Sequence, residues 1–120
     1  MNLAIIDYGS GNLRSVENAF KNSVKNNKLK FKIHVTNKLD LISKADHLVL
    51  PGVGSFPDCK KGLEDIEGLI ELLRSEVIYK RKKFLGICVG MQLMVDFSLE
   101  KQRTEGLCWL EGHFKKIKAK

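Results

Sequence analysis

The sequence is short of the features that mark several large classes of protein. Its three cysteines, Cys59, Cys88 and Cys108, are odd in number and far apart, with no Cys-x-x-Cys pair. That spacing suggests neither a zinc site nor a disulfide framework. His34, His47 and His113 lack metal-ligand spacing as well, so neither a metal nor a cofactor is expected. No apolar run approaches the roughly 20 residues of a membrane span. The chain enters Asn2-Leu3-Ala4-Ile5-Ile6-Asp7 with no basic leader or cleavage site. A cytoplasmic protein without a membrane partner is therefore expected. Internal repeats and low-complexity segments are missing too.

What remains is a chain of 120 residues, 43% hydrophobic and 29% charged, enough for one modest domain. The formal net charge is +7, with lysines gathered between Lys21 and Lys32, Lys80 and Lys83, and Lys115 and Lys120. No nucleic-acid motif accompanies these clusters, so they read as solvated faces and no nucleic-acid partner is expected.

Strands and helices alternate along the chain. Leu3 to Asp7 is a short apolar run before the turn cluster Tyr8-Gly9-Ser10-Gly11-Asn12, and predicts a buried first strand. Leu13, Val16, Ala19, Phe20 and Val24 recur at helical spacing and predict a helix to about Lys25. Phe31 to Val35 predicts a second strand, Leu39 to Ala45 a short helix, and His47 to Leu50 a third, buried strand stopped by Pro51-Gly52-Val53-Gly54. Ile66 to Tyr79 predicts an amphipathic helix ending in Lys80-Arg81-Lys82-Lys83, a charge suited to a helix C-terminus. Phe84 to Ile87 is the fourth strand, Met91 to Phe97 a further helix, and Leu107 to Leu110 and Phe114 to Ile117 are short apolar segments. Buried, non-alternating strands separated by helices predict an α/β fold: an open, mainly parallel sheet with helices on both faces.

Three glycine motifs fall at the carboxyl ends of these strands, the edge where ligands bind in open α/β sheets. Gly9-Ser10-Gly11 is not a dinucleotide fingerprint, because Arg14 stands at the third glycine position and no acidic residue ends the second strand. Pro51-Gly52-Val53-Gly54-Ser55-Phe56 has no lysine after its glycines and is not a phosphate-binding loop. Gly86-Ile87-Cys88-Val89-Gly90 has the Gly-x-nucleophile-x-Gly form of a nucleophile elbow, a strained strand-to-helix turn that holds one reactive side chain in the open. Its glycines remove Cβ atoms that would clash where strand and helix meet, and the helix amides favour negative charge on the sulfur. The pentapeptide alone equally fits a buried structural cysteine. The loop at Gly52-Val53-Gly54 tips the balance, since a backbone amide there can pair with the Val89 amide as oxyanion donors.

Cys88 in GICVGMQLM and the PGVGSF segment resemble the nucleophile and oxyanion strand of the class I (triad) glutamine amidotransferases. Asp7-Tyr8-Gly9-Ser10-Gly11-Asn12 and Glu105-Gly106-Leu107, followed by Trp109-Leu110 and Glu111-Gly112, are most similar to the glutaminase subunits of imidazole glycerol phosphate synthase. The resemblance runs from Asn2 to about Ile117. It implies a flavodoxin-like amidotransferase fold, incomplete at its carboxyl end, with residues 1–120 as the amino-terminal portion of one domain. It also implies hydrolysis of glutamine through a Cys88 thioester, with Val53 and Val89 as the oxyanion hole. Gly52, Gly54 and Gln92 would bind substrate. Tyr8, Gly9 and Asn12 would face a partner, the (β/α)8-barrel synthase subunit that uses the ammonia to make imidazole glycerol phosphate and AICAR. The family's histidine and glutamate lie in a His-Pro-Glu segment, and nothing here matches it. The 120-residue chain alone is therefore expected to be inactive. A paralogous subunit feeding another acceptor, such as a sugar, and a non-catalytic binding module remain as alternatives.

Overall fold

In the computed structural model, residues 1–117 are described. A four-stranded sheet is built from β1 (Asn2–Ile6), β2 (Lys32–Thr36), β3 (His47–Leu50) and β4 (Lys83–Gly86), all parallel, in the order β2-β1-β3-β4. Register pairs Ile5 with Val35 on one side and Val49 on the other, and Val49 with Leu85 beyond. Successive residues point to opposite faces, so the central strands feed two separate apolar clusters. Ala4, Ile6, Leu48 and Leu50 enter the larger one, with Ile42, Phe56, Leu63, Leu69, Leu73 and Leu93. Leu3, Ile5 and Val49 enter the smaller one, against Leu13, Val16 and Phe20. Both faces are thus covered, which is why β1 and β3 read as continuous apolar runs. The edge strand β4 is less covered, and Leu85 is 50% exposed.

The smaller cluster is roofed by α1 (Leu13–Asn26), which Asn12 caps by accepting a hydrogen bond from the Ser15 amide. The larger cluster is roofed by α2 (Leu39–Lys44), α3 (Phe56–Glu64) and α4 (Leu69–Arg74). Neither the periodicity nor the turn residues predict α3. Its signal is local: Ser55 accepts from the Asp58 amide as N-cap, and Pro57 stands in the first turn.

Two predicted helices are corrected. The segment from Ile66 to Tyr79 is not one helix, because Gly68 adopts φ 80° before α4 and a π-helical turn, Ser75–Tyr79, follows it. Glu76 in that turn is buried, taking bonds from Lys80 at 3.1 Å and Lys82 at 2.8 Å. Burial pushes the Glu76 carboxyl up, but the two ammonium groups outweigh it and hold the carboxyl below its usual range. Lys82, only 12% exposed, also donates to the Ser43 carbonyl, so this member of the basic run is a structural ion-pair partner and not a solvated charge. The last basic cluster extends beyond the described residues at Lys118, Ala119 and Lys120.

The helix predicted from Met91 to Phe97 is shorter and earlier: α5 spans Val89–Gln92, and Phe97 opens a strand. That strand, β5 (Phe97–Ser98), pairs antiparallel with β6 (Thr104–Glu105) and parallel with β7 (His113–Phe114). Between β6 and β7, the amides of Leu107, Trp109 and Cys108 donate to the carbonyls of Leu93, Met94 and Val95. The segment after Gly106 therefore satisfies the carbonyls left open where the α5 turn ends. Trp109 packs edge-on against Phe84 at 5.2 Å, tying this cap back to the sheet. Among the described residues no helix is long and apolar enough to cross a membrane.

Candidate active site

The site lies at the carboxyl end of β3 and β4, where two loops meet. β4 ends at Gly86, and Cys88 follows with φ 54° and ψ −121° before α5 begins at Val89. Such angles are strained for a residue with a Cβ. The turn is held because Ile87 N–H donates to Leu50 O at 2.9 Å and Gly90 N–H donates back to Ile87 O at 2.9 Å. A Cβ on Gly90 would lie 1.8 Å from the Leu50 carbonyl oxygen. Only glycine lets the new helix pass that close to the neighbouring strand. The local geometry of an elbow is thus in place, and Cys88 is exposed.

The second loop, Pro51 to Gly54, packs directly against the first. Here too contact is tight: a Cβ on Gly52 would meet the Tyr8 hydroxyl at 2.6 Å and the Gly90 nitrogen at 2.7 Å. The Gly52 carbonyl accepts from the Val89 amide at 3.2 Å. The Val53 amide donates to Ser10 Oγ at 3.2 Å. Both amides expected to form an oxyanion hole are therefore engaged, and the Gly52 carbonyl occupies the Val89 donor. A trans peptide points its C=O and N–H in opposite directions, so the Gly52–Val53 peptide faces Val89 with its carbonyl and Ser10 with its amide.

Beneath the loop, Tyr8 is 4% exposed and donates its hydroxyl to the Pro51 carbonyl. Burial, reinforced by the neighbouring Cys59, pushes the Tyr8 phenol far above its ordinary value, so it is a permanent donor. Ser10 Oγ lies 3.0 Å from the Val53 carbonyl and 3.1 Å from Cys59 Sγ, and Cys59 Sγ is 3.3 Å from that same carbonyl. Sequence reasoning did not find Ser10 or Cys59. Their signal was faint: a serine between two glycines, and a cysteine four residues after a helix cap.

The structure brings Cys88, Val89, Gly52 and Val53 together and puts Gln92 within the α5 turn, its amide donating to the Cys88 carbonyl at 3.2 Å. Gly54, at φ 92°, ends the loop. Of the residues named for a partner surface, Gly9 and Asn12 are exposed, Asn12 also capping α1, while Tyr8 is buried under the loop. The histidines are engaged elsewhere. His34 contacts Asn2 at 3.3 Å, His47 packs edge-on against Phe31 at 5.1 Å, and His113 stacks on Phe97 at 4.7 Å. His47 opens β3 at the end of the sheet opposite the elbow.

Comparison with known proteins gives a consistent picture. The family described as "Glutamine amidotransferase class-I" matches residues 4–113. The chain is 45% identical over 117 residues to the imidazole glycerol phosphate synthase subunit HisH of Brucella suis biovar 1, covering 98% of this chain and 54% of that protein. The corresponding subunit of Rhodopseudomonas palustris is 46% identical over 117 residues, with 98% and 54% covered. That of Agrobacterium fabrum is 49% identical over 112 residues, with 93% and 52% covered. The chain spans about half the length of the curated relatives it matches.

Proposed function

This chain belongs to the class I glutamine amidotransferase family, and we propose from that premise that it carries the nucleophile half of the glutaminase subunit of imidazole glycerol phosphate synthase, in histidine biosynthesis. The observation that carries the reading is Cys88, exposed at a strained positive φ between β4 and α5, with the Gly52–Val53 peptide packed on the same sheet edge.

In this reading the Cys88 sulfur attacks the side-chain amide carbon of glutamine. The carbonyl π electrons move onto oxygen, and the oxyanion is held by the Val53 and Val89 amides once the peptide has turned. Collapse of the tetrahedral intermediate breaks the C–N bond and expels ammonia, leaving a glutamyl thioester. Water then attacks the thioester, releasing glutamate and restoring the thiol. Gln92 and the peptides of Gly52 and Gly54 hold the substrate beside the sulfur. The ammonia passes to the (β/α)8-barrel synthase partner, which completes imidazole glycerol phosphate and releases AICAR. Gly9 and Asn12 lie on the exposed surface of the first loop, where such a partner would sense the site.

Protonation of the departing ammonia needs a general acid, and the thiol needs a base. The family draws both from a His-Pro-Glu segment, which does not occur in these 120 residues. Residues 1–120 therefore act as the amino-terminal portion of a single amidotransferase domain and are inactive alone. The test is labelling of the full-length protein with an electrophilic glutamine analogue, alongside glutamate release. Stoichiometric modification at Cys88, with turnover lost in Cys88→Ser, is the expected result. Steady turnover by residues 1–120 alone, abolished by Cys88→Ser, would overturn the inactivity of the fragment. Failure of the analogue to label Cys88 in the full-length protein would overturn the glutaminase reading.

A further inference from the structure

Two grooves on opposite faces of the sheet carry opposite charge, and we propose that they join copies of this chain head to tail. The inference is independent of the chemistry at Cys88.

The first groove, of about 360 Å³, lies where the end of α1 passes the start of β2. Lys21, Lys25 and Lys28 stand around Val24, Leu29 and Phe31, and Leu29 is 48% exposed. The second groove, of about 350 Å³, lies between α3 and α4. Here Glu64, Glu67 and Glu71 stand around Leu63, Ile66 and Ile70. Among the described residues no carboxylate lines the first and no ammonium group lines the second. Lys21 and Glu64 have ion-pair partners on their own helices, Glu17 and Lys60. Lys25, Lys28, Glu67 and Glu71 make no ion pair among the described residues. Each groove is thus an apolar floor rimmed by charge of one sign, and each rim has what the other lacks.

The fold decides what can bring the two together. Phe31 and Ile33 pack with the small cluster under α1, whereas Leu63 and Ile70 pack with the large cluster under α3 and α4. One chain cannot join its own two grooves across the sheet. A two-fold dimer sets one shared surface against itself, which needs both grooves on the same side. Grooves on opposite faces pair heterologously, the lysine rim of one copy on the glutamate rim of the next, so each contact leaves a groove open at either end. The net charge of +7 opposes approach at long range. At about 0.1 M salt the Debye length is about 10 Å, so the facing rims outweigh it. Because α1 runs back from the elbow edge, its Lys25 and Lys28 end lies at the amino ends of the strands and leaves the Cys88 edge open.

The experiment is sedimentation velocity of the protein over a concentration series at about 0.1 M and about 1 M sodium chloride. It compares the parent, the double variant Lys25→Glu with Lys28→Glu, the double variant Glu67→Lys with Glu71→Lys, and an equimolar mixture of the two variants. All four positions are exposed, so the variants keep the fold. The parent is expected to associate beyond a dimer at the lower salt and about tenfold more weakly at the higher. Each variant has two grooves of like sign and is expected to associate at least about tenfold more weakly than the parent. Mixing them is expected to restore association, since each then offers the complement of the other. A parent still monomeric at about 1 mM and the lower salt overturns the inference. So does a parent that closes as a dimer, or a mixture no more associated than its components. A monomeric parent that binds anionic phospholipid vesicles or polyglutamate through Lys25 and Lys28 also overturns it, and gives the lysine groove to that partner instead.

Discussion

The two loops that meet at the sheet edge are built on opposite principles. The elbow around Cys88 is held by sterics and backbone bonds, within its own turn and across to Leu50: a strand end, two glycines, and a helix turn passing within contact of that residue. The Pro51 to Gly54 loop is held from outside itself, by Tyr8, Ser10, Cys59 and the Val89 amide. The first has no neighbouring alternative, since its packing admits no other backbone. The second depends on hydrogen bonds from outside it, each worth about 1 kcal/mol. A sterically fixed Cys88 thus sits beside a loop whose peptides rest on side chains from elsewhere in the fold.

The comparison is most sharply broken at Gly90. Gly90→Ala puts a methyl against the Leu50 carbonyl and should cost about 3 kcal/mol or more, read as a lower urea midpoint. A loss under about 1 kcal/mol would mean that the elbow yields as readily as the loop.

An ion pair remote from both loops gives the reference for a rigid scaffold. Lys82→Met leaves the buried Glu76 carboxylate with one exposed partner and should cost about 3 kcal/mol. Because the folded carboxyl is held below its unfolded value, its contribution is complete above the ordinary carboxylate range. It is lost as pH falls through the lowered value. Denaturation midpoints across the acid range should therefore fall in the parent, and fall less in Lys82→Met. Parallel curves would remove Glu76 from the acid response.

At the loop the effects are smaller. Tyr8→Phe removes the donor to the buried Pro51 carbonyl and should cost about 1–2 kcal/mol, with faster amide exchange confined to residues 52–54. Exchange spreading into α5 would show the loops to be one unit. Smallest, and opposite in sign, is Cys88→Gly, which relieves the positive φ and should stabilise the fold by about 1 kcal/mol while abolishing any turnover. A destabilised Cys88→Gly would mean that the backbone angle carries no strain.

Much of the scaffold is legible in the sequence. β1, β2, β3, β4 and α1 fall within a residue or so of their predicted bounds: β1 and β3, buried on both faces, are nearly continuous apolar runs, the edge strands β2 and β4 are short apolar-rich segments between breakers, and α1 repeats its apolar positions at helical spacing. The misses share a cause. The turn after α5 ends where it does because residues from Gly106 to Leu110 bond its carbonyls, and Phe97 becomes a strand because His113 and Glu105 flank it. Glu76 is buried in a π turn because Lys82, from the following loop, is there to pair with it. These are contacts made by distant or non-periodic residues, which a local pattern does not record.

The sequence already marked the turn at Cys88. Gly86-Ile87-Cys88-Val89-Gly90 after an apolar strand is the pattern of a tight strand-to-helix turn, and the fold forms it with Cys88 exposed. Tertiary structure alone decided how the Pro51 to Gly54 loop is held. The Val53 amide faces Ser10, and the loop rests on hydrogen bonds with Tyr8, Ser10, Cys59 and Val89, which the fold assembles from three separate stretches of chain. Steric exclusion is written into neighbouring residues, whereas the orientation of a peptide held by distant side chains is fixed only when those stretches meet.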